Sequence, residues 1–300
     1  TFSMGEYPVP VLSQDDVFNY DAYLFDADGT LWTHDEPIPG AIQFVQELIS
    51  RNKKVFIITN NSSRSTRRYL QKVTRLGFPV EENNIISPNT IIIDFCKRNP
   101  HFIRKGIYLI GNIGSKEALE EALNVECFGI GHDPMPDAAG EGFPSTITLE
   151  KEASCVVVGD DPHFSYLKLI KATNYLADPN CGFFIANEDA TLPNDTYILP
   201  GTGCFAAALR TAVLPREPVL FGKPGEPMGR YLKNNLELNP ERTIMFGDRL
   251  DTDIKFGSVN GFNTCWVRTG THSLDDVNRA IDGDDKSLVP MFTFSFTDVQ

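Results

Sequence analysis

Residues 21–30 read Asp21-Ala22-Tyr23-Leu24-Phe25-Asp26-Ala27-Asp28-Gly29-Thr30, and this stretch decides the fold. A short apolar run with no polar alternation ends abruptly in two aspartates two positions apart, then a glycine. Strands apolar on both faces belong in sheets covered on both sides. In an open parallel sheet, ligands sit beyond the carboxyl ends of the strands. The run therefore predicts a central strand whose end carries chemistry.

The pattern repeats outward from there. Gly40 to Arg51 reads as a helix, with Ile42, Val45, Leu48 and Ile49 on one face. Lys54-Val55-Phe56-Ile57-Ile58 is a second apolar strand, ending in Thr59-Asn60-Asn61-Ser62-Ser63. A helix over about 65–76 follows, with Gly77 as its stop. Strand and helix in alternation imply right-handed crossovers and a parallel α/β sheet.

Late in the chain the rhythm returns. Pro218-Val219-Leu220-Phe221 leads into Gly222-Lys223-Pro224, Thr243-Ile244-Met245-Phe246 into Gly247-Asp248, and Asn263-Thr264-Cys265-Trp266-Val267 closes the set. The stretch between has its own strands (107–110, 153–158, 182–186) and helices (116–123, 166–176). The expected organisation is a Rossmann-like core over 15–99 and 201–300, with an α/β domain over 100–200 inserted into it. A loose loop spans 129–144.

Composition narrows the function. With 300 residues, 41% hydrophobic and 22% charged, the chain is globular and long enough for two domains. A formal net charge of −13 disfavours nucleic acid and anionic membrane surfaces as partners. No run approaches the roughly 20 apolar residues of a membrane span. The stretch Thr1 to Gly5, in which Met4 reads as a native start behind a remnant, has no basic-then-apolar signal pattern. The six cysteines lie singly, without metal-ligand spacing, as expected of free thiols in a reducing cytoplasm.

Four apolar strands end in different polar residues, Asp26, Thr59, Lys223 and Asp248, and these are expected to converge on one sheet edge. A carboxylate can attack phosphorus, which splits a hard hydrolysis into two easier steps. Asp26 suits that role, and Asp28 beside it suits general acid and base work. Gly29 permits close backbone approach, and Thr30 offers a hydroxyl and an amide to phosphate. Thr59, Asn60 and Asn61 suit donation to phosphate oxygens, although they also read as the cap of the next helix. Lys223 offers a cation for charge building up on a transferred phosphoryl group. The acidic segment 248–253 suits Mg²⁺, which takes one or two carboxylates plus waters and phosphate. Asp26 and Asp248 are its expected ligands, with the Asp28 carbonyl, while Asp253 orients them. Each motif alone has a plainer reading as a turn, a cap or a solvated charge; together they compose a phosphoryl-transfer site.

In this order the four signatures resemble the haloacid dehalogenase superfamily, and Asp28 matches its phosphatase branch. The large insertion resembles the α/β cap of the subgroup that includes nitrophenyl-phosphatases. The segments 159–169 (GDDPHFSYLKL), 200–205 (PGTGCF) and 239–254 (NPERTIMFGDRLDTDI) resemble phosphatases acting on phosphoglycolate, glycerol-3-phosphate and pyridoxal phosphate. The resemblance spans about 21–270 and departs at Thr30, where the animal enzymes carry valine. It implies a Mg²⁺-dependent hydrolase of small phosphorylated metabolites acting through an aspartyl-phosphate. Phosphoglycolate or glycerol-3-phosphate is the first expectation, with pyridoxal phosphate or broad 4-nitrophenyl phosphatase activity as the alternative. It further implies substrate selection by His163 on a cap loop, and a homodimer formed through the cap. A protein phosphatase and a non-catalytic binding module are the rival classes. A two-component receiver domain is far shorter and lacks a carboxylate at the Asp28 spacing.

Overall fold

The computed structural model describes residues 7–134, 147–192, 194 and 196–299. Met4, and the loop read over 129–144 from residue 135 onward, lie outside the described residues. The chain forms two compact units. The first takes residues 1–59, 66–86 and 223–300, and the second takes 60–65 and 87–222.

The first unit is built on six parallel strands. In chain order they are Ala22–Phe25, Lys54–Ile58, Ile85–Ile86, Thr243–Gly247, Asn263–Val267 and Phe292–Phe294. Across the sheet they run third, second, first, fourth, fifth, sixth. The order reverses between Ala22–Phe25 and Thr243–Gly247, and a crevice opens where such a sheet changes winding direction. Ala22–Phe25 is buried throughout, as an apolar run between two layers requires.

Aromatic side chains fill much of this core. Phe25 stacks on Phe246 with ring centroids 5.0 Å apart, and Phe44 meets Phe294 at 5.3 Å. The helix Ala41–Ser50 buries Ala41, Phe44, Val45 and Leu48. The expected face holds at Val45 and Leu48, with Ile42 packed partly buried against the core, but Ile49 is exposed and the aromatic Phe44 is buried in the core. The helix Thr66–Leu76 ends at Gly77, whose φ of +93° only glycine adopts freely.

The second unit holds a five-stranded parallel sheet. Its strands in spatial order are Val219–Leu220, Gly182–Ile185, Ala153–Val158, Gly106–Ile110 and Cys127–Phe128. The helices Ile113–Leu123, Tyr166–Tyr175 and Thr202–Ala212 belong to it. This unit is wider than the expected 100–200 insertion. Val219 pairs with Phe184, so the strand before Lys223 belongs to the second sheet rather than the first. The helix Pro88–Arg98 also falls in the second unit.

Cys96, Cys127, Cys155, Cys181 and Cys265 are buried free thiols, and Cys204 is exposed. Among the described residues no helix is long and apolar enough to cross a membrane.

Candidate active site

Asp26 follows the first strand directly, and its amide donates to Phe246 O at 2.8 Å, continuing the ladder one residue beyond the strand. That tie sets it beside the end of Thr243–Gly247, where Asp248 follows. After Asp248 the backbone makes a π-helical turn over Leu250–Ile254, with the amides of Asp253 and Ile254 both donating to Arg249 O. The turn swings Asp253 back to the same place. Gly247 makes room for it, since a Cβ there would lie 2.1 Å from the Asp253 Cβ. Oxygens of Asp26, Asp248 and Asp253 thus lie within 4.8 Å of one another, with Asp248 and Asp253 buried and Asp26 half-buried.

Lys223 stands among them, itself buried. Its Nζ donates to Asp26 Oδ1 at 2.5 Å, to Asp253 Oδ1 at 2.7 Å and to the Ile58 carbonyl at 2.7 Å. Three contacts match the three protons of an ammonium. Burial alone pushes the Lys223 ammonium toward losing its proton, but the paired Asp253 and Asp26 outweigh it and raise its pKa. Lys223 was expected to arrive at the end of a core strand; it comes instead from a segment leaving the second sheet, yet reaches the same carboxylates.

One ammonium does not balance three carboxylates. Burial holds the Asp26 pKa well above its usual value, with Asp253 and Asp248 adding to the rise and Lys223 opposing it. The Asp248 carboxyl is pushed up to about 6 by burial and by Asp253, against the Thr271 amide that donates to its Oδ2 at 2.6 Å. Among the described residues, Asp248 Oδ1 is buried with no hydrogen-bond partner. Gly270 and Gly29 wall this carboxylate, and a Cβ on either would lie 2.1 Å or 2.7 Å from its Oδ2. Hard oxygen donors, an orphaned carboxylate oxygen and two uncompensated charges fit a divalent cation such as Mg²⁺. Asp253 spends one oxygen on Lys223 and the other on the Arg249 amide at 3.0 Å, which suits a residue that orients the others.

Asp28 sits in the turn after Asp26. Its Oδ1 accepts from Trp32 Nε1 at 2.9 Å and lies 3.5 Å from Lys72 Nζ. Both partners approach the same oxygen. The Thr30 amide, expected to face phosphate, closes the turn by donating to Ala27 O at 3.3 Å, and the Gly29 amide donates to Trp32 O at 2.7 Å. What Gly29 supplies is a φ of +90° and the absence of a side chain against Asp248. The Thr30 hydroxyl is buried without a partner among the described residues. Thr59 is buried at the end of Lys54–Ile58, its amide donating to Ile86 O at 3.0 Å.

The remaining sequence candidates, Asn60, Asn61 and His163, belong to the second unit. Asn60 Nδ2 donates to Asp189 Oδ1 at 3.3 Å, and Asn61 Oδ1 accepts from the Ser63 amide and hydroxyl at 2.9 and 2.6 Å. The His163 amide donates to Asp161 Oδ1 at 2.8 Å, and Asp161 Oδ2 is paired with the buried Lys168 at 2.5 Å. Sequence reasoning missed Trp32, Lys72 and the loop 268–272. That loop follows the strand Asn263–Val267, and the carboxyl-end rule applied to a fifth strand would have found Gly270 and Thr271.

An aspartate paired to a buried lysine, with further carboxylates that fit a cation, is suited to gather and move a phosphoryl group. At the switch point of a doubly wound sheet, that arrangement defines the class of phosphoric monoester hydrolases. Family patterns agree: a haloacid dehalogenase-like hydrolase pattern matches residues 23–123 and a second HAD-like hydrolase pattern matches 220–290. Glycerol-3-phosphate phosphatase of Homo sapiens is 36% identical over 284 residues, covering 91% of this chain and 87% of that protein. A putative NipSnap protein of Caenorhabditis elegans is 44% identical over 248 residues; the match takes 81% of this chain but spans only 47% of that relative. The solved p-nitrophenyl phosphatase of Archaeoglobus fulgidus superposes with a TM-score of 0.77 at 26% identity, covering 93% of this chain and 98% of that one. The chain belongs to the haloacid dehalogenase-like hydrolases, and it is a phosphatase of that family.

Proposed function

We propose that this chain hydrolyses small phosphomonoesters through an aspartyl-phosphate on Asp26, with glycerol-3-phosphate or phosphoglycolate as the preferred substrate. The observation that carries the chemistry is the ion pair between Asp26 and Lys223 inside a buried, carboxylate-rich cluster. The substrate class rests on the likeness to glycerol-3-phosphate phosphatase over most of both chains.

Asp26 keeps 14% of its side chain exposed, so a phosphorus atom can reach it. Lys223 binds Oδ1 and leaves Oδ2 for in-line attack. Asp26 and Asp248 would hold Mg²⁺, with the main-chain carbonyl of Asp28 as a further ligand and Asp253 orienting the set. When bound, the cation offsets charge on the phosphate oxygens and on the carboxylates that would otherwise repel them. As Asp26 Oδ2 bonds to phosphorus, the bond to the leaving alkoxide breaks and that oxygen takes a proton from Asp28. Asp28, now a carboxylate, accepts a proton from water as the water oxygen attacks phosphorus. The bond to Asp26 then breaks, and inorganic phosphate and the free carboxylate are released. Trp32 and Lys72 engage Oδ1 of Asp28, so Oδ2 is the oxygen that exchanges the proton. Thr59, at the end of its strand, donates to a phosphate oxygen, whereas the Thr30 hydroxyl is fully buried and out of a substrate's reach. His163 is assigned to substrate selection only through the family resemblance of its segment, 159–169.

The test is phosphate release with Mg²⁺ from glycerol-3-phosphate, phosphoglycolate, pyridoxal phosphate and 4-nitrophenyl phosphate, with Asp26→Asn beside the native chain. Preference for the first two and loss of turnover in the variant are expected. Preference for pyridoxal phosphate would reassign the substrate. Substantial activity in Asp26→Asn would remove the nucleophile from this account.

A further inference from the structure

The second unit is also a parallel sheet, and its own carboxyl edge is the place where such sheets take ligands. Here that edge is occupied by the chain itself. Residues 60–65 pack with the second unit although the residues on both sides, Thr59 and Thr66, belong to the first. This six-residue strap meets the ends of three neighbouring strands in turn. After Gly182–Ile185, Asn187 Nδ2 donates to Asn60 O at 2.9 Å and Asp189 Oδ1 accepts from Asn60 Nδ2 at 3.3 Å. After Ala153–Val158, Gly159 lies under the strap, where a Cβ would sit 3.2 Å from Ser62 Oγ. After Gly106–Ile110, Ser115 Oγ donates to Ser62 O at 2.6 Å, and Asn89 Nδ2 reaches the same carbonyl at 3.0 Å. Gly114 approaches so closely that a Cβ would be 2.3 Å from Ser63 O.

The strap begins one peptide bond after Thr59. Its first residue also receives Gly222, one peptide bond before Lys223: a Cβ on Gly222 would lie 2.7 Å from Asn60 Oδ1 and 2.4 Å from Ala186 O. Asn60 and Gly222, each one peptide bond from Thr59 or Lys223, therefore meet at a common node within the second unit. Asn187 is 96% buried, so its amide spends its donors in a dry setting where an unpaired partner is costly.

We propose that Asp189, Asn187 and Ser115 are positioning residues for the reaction, acting by seating the 60–65 strap and so fixing Thr59 and Lys223. This rests on the roles given above to Thr59 and Lys223. Misplacing a reacting group by about 1 Å costs on the order of 100-fold in rate. Asp189→Ala is accordingly expected to lower kcat about 10- to 100-fold, with KM changed less than about threefold. Asp189→Asn keeps a carbonyl acceptor for Asn60 Nδ2 and is expected to restore kcat to within about threefold of the native chain. In the double variant Asn60→Ala/Asp189→Ala, kcat should fall no further than in the worse single variant, because both remove one interaction. Native kcat in folded Asp189→Ala, no rescue by Asp189→Asn, or additive losses in the cycle would each overturn the proposal. Should Asp189→Ala fail to fold, Ser115→Ala decides: a kcat loss of about fivefold or more at unchanged melting temperature supports the strap, and native kcat overturns it. The Asp26→Asn control separates the two readings. If Asp26→Asn is active, the site reading fails; if it is dead while the Asp189 variants match the native chain, only the strap proposal fails.

Discussion

At the scale of single residues, the cluster is defined by a charge deficit. Lys223 answers for one carboxylate, and the burial of Asp248 and Asp253 beside a half-buried Asp26 makes the remaining charge costly unless a cation offsets it. These four residues were legible because each follows or lies near an apolar run, and strand ends are where sequence and chemistry coincide. Trp32 and Lys72 were not. Trp32 reads as core, and it is fully buried; that its Nε1 also reaches Asp28 depends on a turn closed by Gly29 N and Trp32 O. Lys72 lies on a helix whose buried face carries Tyr69 and Val73, and a lysine beside such a stripe was the available signal. Trp32→Phe tests the assignment. It keeps most of the buried area and removes the donor to Asp28 Oδ1, so the carboxyl loses a fixed orientation. We expect kcat to drop about tenfold, with KM nearly unchanged, since a general acid contributes about 10²- to 10⁴-fold when well placed. Steady-state kinetics on 4-nitrophenyl phosphate, whose leaving group needs little protonation, should show a smaller loss than kinetics on glycerol-3-phosphate.

At the scale of elements, the core strands were readable and their partners were not. An apolar run states that a segment is covered on both faces; it does not state by which sheet. Val219–Leu220 reads like a core strand, yet its register with Phe184 and Ile185 puts it in the other unit. Pairing is a long-range choice, made by what else competes for that edge, and a two-residue strand carries too little pattern to reveal it. Asp253 is a second case: only the π-helical turn over Leu250–Ile254 brings it to Lys223, and such turns have no clear sequence signature. The loop after Asn263–Val267 yields a prediction at this scale. Gly270 lets the loop press against Asp248, with the Thr271 amide holding its Oδ2. Gly270→Ala would place a methyl group 2.1 Å from that oxygen, so either the loop or the carboxylate must move. The expected result is at least a tenfold rise in the Mg²⁺ concentration giving half-maximal activity, with a native far-ultraviolet spectrum. An unchanged Mg²⁺ requirement would show that Asp248 does not hold the cation.

At the scale of the whole molecule, metal and pH are coupled through the folding equilibrium. Asp248 has a folded-state pKa of about 6 against an ordinary value of 3.8, and Asp26 is also raised, both by burial first. A carboxyl group whose pKa rises on folding favours the native state while protonated. Its contribution is complete below the unfolded value and is lost as pH climbs through the folded one. The metal-free protein should therefore lose stability between about pH 4 and pH 6 on account of Asp248, by an amount on the order of 3 kcal/mol. A divalent cation acts in the opposite direction, because it binds the deprotonated carboxylates of the native state and has no comparable site on the unfolded chain. Thermal melts at pH 5 and pH 7.5, each with a chelator and with excess Mg²⁺, separate the two effects. The Mg²⁺-induced rise in melting temperature should be large at pH 7.5 and small at pH 5, where protons already occupy the carboxyl groups the cation needs. In Asp248→Asn the dependence on both pH and Mg²⁺ should flatten, because the amide carries no charge to relieve. An equal Mg²⁺ effect at both pH values, or one that survives in Asp248→Asn, would place the stabilising cation elsewhere in the molecule.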